Sequence, residues 1–373
     1  MNTRALLERL VAFPTVSRDS NLELIDFVAN YLDDFGIHVT RIDDPERQPK
    51  QGLFATVGPA DVPGVLFSGH TDVVPVDGQN WSSDPFTLTE RDGRVYGRGA
   101  VDMKGFLATV LSICPDMTNL SRPVHIALTY DEETGCKGAP VLIDHVRDSI
   151  AAPFATIVGE PSMMKLVTAH KGISEISVHV KGVTAHSSQM DQGVSAVMNA
   201  GRLIAWLEER FRRFRDEGPH AQGFEPDYTT VHVGTVNGGT AMNIISDSCD
   251  FVWEIRNTPL DAAADIIAEF RRFATETVLA QMQHTAPESD ITISVEAQVP
   301  PLAHDPESTA VDFFSPLVES PGLHFVPYAA EAAQYQSAGF PTVILGPGSI
   351  DQAHKADEYI SVEQLDAGTM LVR

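Results

Sequence analysis

Short apolar segments of this chain repeatedly end in a histidine or a carboxylate, and this pattern constrains the fold more than any other feature. Apolar runs that predict strands cover residues 65–68, 124–130, 155–159 and 341–348. The side chains that follow these runs are, in chain order, His70, Glu132 with Glu133, Glu160 and His354. In open α/β sheets the active crevice lies beyond the carboxyl ends of the strands, so we expect these side chains to converge there.

A further carboxylate belongs to the same group. Asp102 follows a glycine-flanked turn and precedes a predicted helix at residues 106–113, and the glycines permit close backbone approach. His70 and Asp72 are two residues apart, so on an extended chain they point the same way, and Asp72 can orient an imidazole that binds a metal. Taken alone, a His-x-Asp pair more often marks an ordinary polar strand end, since such pairs are common at turns.

The order of predicted elements indicates one domain interrupted by another. Helices are predicted at 3–13 and 21–35, followed by strands that alternate with helices, and this order predicts a mixed, mostly parallel, doubly wound α/β sheet. Residues 173–299 read β-α-β-β-α-β, an inserted α+β unit of ferredoxin-like type. We therefore expect a catalytic domain built from residues 1–172 and 300–373, with the inserted domain between them.

Charge limits the partners that this chain can have. Lys and Arg total 26 against 51 Asp and Glu in 373 residues, a net charge of −25. Such a field repels phosphate backbones and anionic lipids, and it favours cationic small molecules. We expect neither nucleic acid nor membrane as a partner, since no apolar run reaches membrane-spanning length.

The cysteines and the amino terminus indicate a cytoplasmic protein. Three widely spaced cysteines, Cys114, Cys136 and Cys249, make a disulfide framework improbable, and none is expected near an activating base. The first residues lead directly into an amphipathic helix without the apolar core and cleavage site of a signal peptide.

The converging residues suit a pair of divalent metal ions. Two histidines and three carboxylates, one of them able to bridge, match what two zinc ions require. Such a pair activates water and polarises a carbonyl oxygen, which predicts hydrolysis of an amide. Because neighbouring side chains diverge, Glu133 can reach the metals while Glu132 takes a proton from water. The alternative for Glu132 and Glu133 is a solvated acidic turn.

Four motifs together resemble a known family, the co-catalytic zinc exopeptidases and deacylases, which include desuccinylases, aminoacylases and glutamate carboxypeptidases. These motifs lie at residues 68–75, 97–105, 131–135 and 159–161, and the likeness covers essentially the whole chain. The resemblance implies two divalent ions, Zn²⁺ or Co²⁺. It places His70 and Glu160 on one metal and Glu133 and His354 on the other. It further implies that Asp102 bridges the ions, that Asp72 orients His70, and that Glu132 is the acid/base.

The resemblance also gives the inserted domain a role in homodimer formation. His186 resembles the histidine that crosses the dimer interface to the scissile carbonyl, and Asn243 and Arg256 resemble positions that bind the substrate α-carboxylate. An arginine fork matches a carboxylate in shape and charge. Without the resemblance, Arg256 is a surface strand residue and His186 a loop histidine.

The segments 331–335 and 346–359 most resemble a deacetylase branch of the family, which implies an N-acyl amino acid as substrate. Glu331 is then expected to contact a cationic substrate side chain, although it could instead cap a helix. Ala329 and Ala330 replace the glycine and threonine expected before it. Other readings are a different deacylase, a desuccinylase, a dipeptidase, or a binding protein that has lost the chemistry.

Overall fold

The computed structural model of the protein describes residues 1–44, 49–319 and 322–373. The chain forms two compact units. The larger unit comprises Met1–Ala169, Leu302–Phe325 and Ala330–Arg373, and the smaller comprises His170–Pro301 with Val326–Ala329. In the part of the chain that the structure describes, no helix is long and apolar enough to cross a membrane.

The strands are, in chain order, β1 (Val39–Asp43), β2 (Gln51–Val57), β3 (Val65–His70), β4 (Thr89–Arg91), β5 (Arg94–Tyr96), β6 (Val124–Thr129), β7 (Ala155–Val158), β8 (Val167–His170), β9 (Ile173–Lys181), β10 (Thr230–Gly238), β11 (Ser248–Arg256), β12 (Asp290–Val299), β13 (His324–Val326), β14 (Thr342–Ile344) and β15 (Tyr359–Ser361).

The helices are α1 (Thr3–Val11), α2 (Leu22–Asp33), α3 (Lys104–Ile113), α4 (Ala139–Ser149), α5 (Ala196–Glu217), α6 (Ala263–Arg272), α7 (Ala280–Thr285), α8 (Thr309–Phe314), α9 (Ala332–Ser337) and α10 (Val362–Val372). A π-helical stretch, Phe273–Leu279, joins α6 to α7. Single 3₁₀ turns occur at Cys114–Asp116, Met190–Gln192, Ser315–Leu317 and Ile350–Gln352.

The large sheet of the larger unit has the order β1-β2-β6-β3-β7-β14-β8-β13. Its four central strands, β6, β3, β7 and β14, run parallel, whereas β1 and β2 on one side and β8 on the other pair antiparallel with their neighbours. The prediction of a mixed α/β sheet is thereby confirmed. Because the central strands are parallel, their carboxyl ends lie at one edge of the sheet.

Helices cover this sheet because their apolar residues recur at helical spacing. In α1, Leu6, Leu7, Leu10 and Val11 are fully buried, and the Asn2 side chain caps the helix by accepting from the Ala5 N–H. The predicted cap of α2 is also present: Gly36 has φ of +71°, a conformation that glycine adopts without steric cost.

The smaller unit contains an antiparallel sheet in the order β10-β11-β9-β12, flanked by α5 and by the α6–α7 segment. This is the expected β-α-β-β-α-β arrangement. Exposed and buried residues alternate along β9, as in a sheet with one covered face. Trp253 and Phe270 pack under that face with ring centroids 4.9 Å apart.

Candidate metal centre

The four parallel strands deliver the predicted metal-binding side chains to one edge of the sheet. His70 is the last residue of β3, and Glu160 follows β7 by two residues. Glu132 and Glu133 follow β6, and His354 lies in the loop after β14. Strand direction therefore brings together residues that are as much as 284 positions apart in sequence, from His70 to His354.

Close approach of two strand ends allows this convergence. A Cβ on Gly346 would lie 2.1 Å from the carbonyl oxygen of Gly159, so only glycine permits the backbone after β14 to pass the backbone after β7. Gly159 itself faces the ring of Phe106, and a Cβ added to Gly159 would lie 2.0 Å from a carbon of that ring. Glu160 therefore depends on two glycines for its place at the sheet edge.

Asp102 lies between the two histidines. Its Oδ1 is 3.1 Å from Nε2 of His70, and its Oδ2 is 3.2 Å from Nε2 of His354. One carboxylate thus presents a different oxygen to each imidazole, an arrangement in which it could serve two ions.

The carboxylates of Glu133 and Glu160 lie beside different histidines. Oε2 of Glu133 is 3.0 Å from Nε2 of His354, and Oε1 of Glu160 is 3.8 Å from Nε2 of His70. The structure therefore groups the five residues as the resemblance implies, with His70 beside Glu160 and His354 beside Glu133.

The donor set fits divalent metal ions. Possible ligand atoms of His70, Asp102 and Glu133 lie within 4.8 Å of one another, and the same is true of His70, Glu132 and Glu160. Among the described residues, the buried Oε1 of Glu160 has no hydrogen-bond partner, and an unsatisfied buried carboxylate oxygen is costly unless a cation compensates it. Imidazole nitrogen and carboxylate oxygen are ligands that zinc accepts.

Crowding of acids changes their protonation. Burial raises the pKa of Glu132 to about 8, and it raises that of Glu133 to about 7, with the nearby Asp102 charge adding to the shift of Glu133. Burial and the charge of Asp102 also raise the pKa of Glu160 well above its usual range. Bound cations would reverse these shifts by favouring the carboxylate forms.

In the two histidines and Asp102, by contrast, the surroundings favour the charged form. Hydrogen bonds to Asp102 and Glu133 raise the pKa of His354 to about 10. Burial by itself disfavours a charged His70, yet its contacts with Asp102 and Asp72 hold its pKa well above the usual value. Burial likewise works against ionisation of Asp102, but its two histidine partners keep its pKa well below the usual range.

Asp72 holds both a ligand and the acidic turn. Nδ1 of His70 lies 2.9 Å from the Asp72 carbonyl oxygen and 3.5 Å from Oδ1 of its carboxylate. The same carboxylate accepts from the N–H groups of Glu132 at 3.2 Å and Glu133 at 3.4 Å, and from Oγ of Ser17 at 2.7 Å. Asp72 was predicted from the sequence to orient His70 alone, but it also holds the backbone of Glu132 and Glu133.

The expectation that no cysteine lies near a base is wrong. Sγ of Cys136 is 3.2 Å from Oε1 of Glu132, because the turn after β6 folds back with Cys136 at φ of +53°. Burial raises the pKa of the Cys136 thiol well above its ordinary value, so the thiol stays protonated and donates to the carboxylate. The separation of four residues gave no signal because a turn, not a helix, creates the contact.

Lys50 and Ser17 also support the site, and sequence reasoning did not find them. Nζ of Lys50 donates to Oδ1 of Asp131 at 2.8 Å and to the Ser17 carbonyl at 2.7 Å, with Lys50 and Asp131 both buried. The contacts join residues 33 and 81 positions apart, so no local pattern could indicate them.

In the smaller unit, His186 and Asn243 are neighbours. His186 forms an isolated antiparallel bridge with Ile244, and the Ser187 N–H donates to the Asn243 carbonyl at 3.0 Å. Both His186 and Asn243 are exposed. The Ser188 N–H donates to Nδ1 of His186 at 3.2 Å, so in the neutral ring the proton lies on Nε2.

Arg256 lies elsewhere in the smaller unit. It ends β11, whereas Asn243 precedes the start of that nine-residue strand, which spans roughly 25–30 Å at the usual rise per residue. Its guanidinium donates to Oε2 of Glu254 at 3.1 Å from Nε and 3.0 Å from Nη2. Within this unit, the structure does not bring Arg256 to the His186–Asn243 pair.

Glu331 is fully buried in the larger unit. Its Oε1 accepts from Oγ of Ser68 at 2.7 Å, and that hydroxyl is 2.8 Å from the Tyr335 hydroxyl. Burial raises the pKa of Glu331. Glu331 precedes α9 but makes no side-chain capping bond to it.

Comparisons with known proteins bear on both the fold and the site. The model of "Peptidase family M20/M25/M40" matches residues 66–373. Acetylornithine deacetylase from Pasteurella multocida is 34% identical over 370 residues, which cover 96% of this chain and 92% of that protein. Acetylornithine deacetylase from Pectobacterium carotovorum gives the same identity and coverage.

Solved structures match the fold over nearly the full length. The M20 family metallo-carboxypeptidase Sso-CP2 from Sulfolobus solfataricus gives a TM-score of 0.78 at 15% identity, covering 100% of this chain and 98% of that one. The YXEP protein of Bacillus subtilis, described as a dinuclear metal-binding peptidase, gives a TM-score of 0.67 at 17% identity, with coverage of 99% and 95%. At these identities the likeness establishes the fold alone.

Proposed function

The chain belongs to the peptidase family M20/M25/M40, and from this premise we propose that it is an acetylornithine deacetylase, which converts N2-acetyl-L-ornithine and water to L-ornithine and acetate. The family match confirms the resemblance noted in the sequence, and it makes the protein a metal-dependent amide hydrolase. The observation that carries the choice of substrate is the 34% identity, over 96% of the chain, to enzymes of that name.

We assign the metal ligands by the distances around Asp102. His70 and Glu160 would hold one ion, Glu133 and His354 would hold the other, and Asp102 would be shared between the two. We propose Zn²⁺, with Co²⁺ as an ion of similar ligand preference. When bound, the ions lower the pKa of water and polarise the scissile carbonyl.

Glu132 is the proposed general base and acid. It is tied through its backbone N–H to Asp72 and through Oε1 to the Cys136 thiol, so its carboxylate has a defined orientation. Glu132 accepts a proton from the attacking water and returns it to the leaving amine nitrogen. Possible ligand atoms of Glu132, His70 and Glu160 lie within 4.8 Å of one another, which supports a role for Glu132 next to the metal site.

His186 is proposed to donate a hydrogen bond to the oxyanion, acting from the partner subunit of a homodimer. Support comes from its exposed ring and from the Nε2–H tautomer favoured by the Ser188 N–H. Asn243 and Arg256 are proposed to bind the substrate α-carboxylate. Because Arg256 ends β11 whereas Asn243 precedes its first residue, Ser248, we propose that the two reach the substrate from different subunits.

The predicted inserted domain, residues 173–299 within the smaller unit, is proposed to form the dimer interface. Its strand β10 is a sheet edge, and Val236 on it is 51% exposed. Met198 on α5 is 64% exposed and Met242 is 98% exposed. Exposed apolar side chains beside an unpaired strand edge favour association with a second copy.

Substrate choice is proposed to follow from charge. N2-acetylornithine carries a cationic amine, which an acidic protein with net charge −25 attracts and which Glu331 would contact. A succinylated substrate adds a carboxylate that requires another basic partner. We accordingly place the protein in the cytoplasm, in arginine biosynthesis.

A panel of N-acyl amino acids tests the proposal. The purified protein is stripped with a chelator, reloaded with zinc or cobalt, and assayed for acetate or succinate release. We expect N2-acetylornithine to give the highest kcat/KM, ahead of N-acetylmethionine, succinyl-diaminopimelate and dipeptides. Preference for succinyl-diaminopimelate or a dipeptide would assign another activity of the family, and metal binding without turnover of any substrate would indicate a binding protein.

A further inference from the structure

A buried carboxylate close to His354 in sequence holds the turn that carries Asp102. Glu358 is 1% exposed, and each of its oxygens accepts two hydrogen bonds. Oε1 accepts from the N–H groups of Val101 at 2.9 Å and Asp102 at 3.2 Å. Oε2 accepts from the Gly99 N–H at 3.1 Å and from Nη1 of Arg98 at 2.6 Å.

These four donors fill the acceptor positions of one carboxylate and fix the backbone of the turn. Gly99 has φ of +80°, a conformation that residues with a side chain rarely adopt, and the turn it forms lets the N–H groups of Gly99, Val101 and Asp102 face one carboxylate. The main chain adds a further contact, since the Gly97 N–H donates to the Glu358 carbonyl at 3.0 Å. The turn that carries the bridging ligand is therefore built around Glu358.

The same cluster reaches the second histidine. Nη2 of Arg98 donates to Oε1 of Gln79 at 2.6 Å, and Nε2 of Gln79 donates to the His354 carbonyl at 3.1 Å. His354 precedes Glu358 by four residues and has φ of +62°. Asp102 and His354 are thus joined by one chain of contacts that runs through Glu358, Arg98 and Gln79.

We propose that Glu358 is a positioning residue for the metal centre. It fixes the positions of Asp102 and His354 relative to each other, so that Asp102 can bridge two ions. Hydrogen-bonding partners behind metal ligands orient them, and losing such a partner typically lowers metal affinity by about 10–100-fold. The inference rests on the proposed function for its assignment of Asp102 as the bridge, but metal binding can be measured without substrate.

The decisive variant is Glu358→Gln, with Asp357→Asn as matched control. An amide at 358 keeps the size but turns N–H donors toward Arg98 and the backbone N–H groups. The carboxylate of Asp357, the adjacent acid, accepts instead from the N–H and hydroxyl of Ser82. We expect Glu358→Gln to bind zinc about 10–100-fold more weakly by titration calorimetry, while Asp357→Asn binds as the wild type does.

Two further measurements separate positioning from general stabilisation. The visible spectrum of cobalt-loaded Glu358→Gln should differ from that of the wild type, because ligand geometry has changed. Gln79→Ala leaves the Arg98–Glu358 pair intact and should weaken metal binding by a smaller factor, about threefold to tenfold, by loosening His354. This second variant decides the question if Glu358→Gln does not fold.

Wild-type affinity and spectrum in a folded Glu358→Gln would overturn the proposal, as would wild-type affinity in Gln79→Ala if the first variant does not fold. Failure of the proposed function gives a different result. In that case the wild type binds two ions without releasing acetate from N2-acetylornithine, and the comparison of metal affinities still applies.

Discussion

The carboxylate of Asp72 accepts a hydrogen bond from the backbone N–H of Glu132 at 3.2 Å, and thereby links two functions of the site. Asp72 also contacts the imidazole of His70 through its carbonyl oxygen. The end of β3 and the turn after β6 are therefore held together by one residue. His70, the predicted metal ligand, and Glu132, the proposed base, keep a fixed relation because both contact Asp72.

Glu132→Gln should retain metal but lose activity by about 10²–10⁴-fold. The amide keeps the shape of the side chain and can still accept from Cys136, but it cannot take a proton from water. Zinc content measured by elemental analysis, together with kcat, checks this expectation. Near-normal turnover with intact metal content would remove the role of general base from Glu132.

Asp102→Ala should release at least one metal ion. Its two oxygens face His70 and His354 at 3.1 and 3.2 Å, so its loss removes a donor from both positions. Metal stoichiometry after gel filtration provides the measurement, with Asp357→Asn as an acidic control outside this contact. Two tightly held ions in the Asp102→Ala protein would contradict the bridging assignment.

Mixed dimers should recover activity from two inactive variants. If His186 serves the partner's site, a His186→Ala subunit can accept the intact His186 of a Glu132→Gln subunit, which gives one complete site per mixed dimer. Each single variant is expected to lose about 10²–10³-fold or more. Differently tagged subunits allow the mixed species to be isolated. No recovery in verified mixed dimers would place the action of His186 within its own chain.

Glu331→Gln should reduce the preference for acetylornithine over N-acetylmethionine. A charge-assisted contact is worth about 1.5–3 kcal/mol, which corresponds to about tenfold to hundredfold in the ratio of kcat/KM values. Tyr335→Phe is the control, because it alters the Ser68 hydrogen bond without changing charge. An unchanged ratio would leave Glu331 with the structural role of holding Ser68.

His125→Asn should reduce the amount of unfolding free energy that the protein loses between neutral and acidic pH. Burial lowers the pKa of His125 to about 4, below the ordinary value near 6.5, so protonation favours the unfolded chain. The stabilisation is complete above pH 6.5 and is lost as the pH falls toward 4. We expect this group to account for on the order of 1–3 kcal/mol over that range. Urea unfolding at pH 7 and at pH 4 gives the free energy of unfolding of the wild type and of His125→Asn. An equal loss of unfolding free energy between the two pH values in both proteins would refute the assignment.

Local sequence determined the elements and the chemical inventory. Helical spacing of apolar residues between positions 3 and 13 predicted α1, because that spacing places Leu6, Leu7 and Leu10 on one buried face. The residues that end the parallel strands were predicted to meet because parallel strands share one carboxyl edge. The spacing of apolar residues and the direction of the strands are properties of the chain itself, so the sequence alone predicts them.

Tertiary structure decided which groups touch. The Cys136 contact with Glu132 depends on a turn conformation, and the burial of Glu331 depends on Ser68, which is 263 residues away. Glu358 contacts the Gly99–Asp102 turn from more than 250 residues away. Composition and spacing specify which side chains exist and which way strands run. Long-range packing alone sets the distances, burial and donor geometry that turn those side chains into a site, because these quantities arise only when distant segments are brought together.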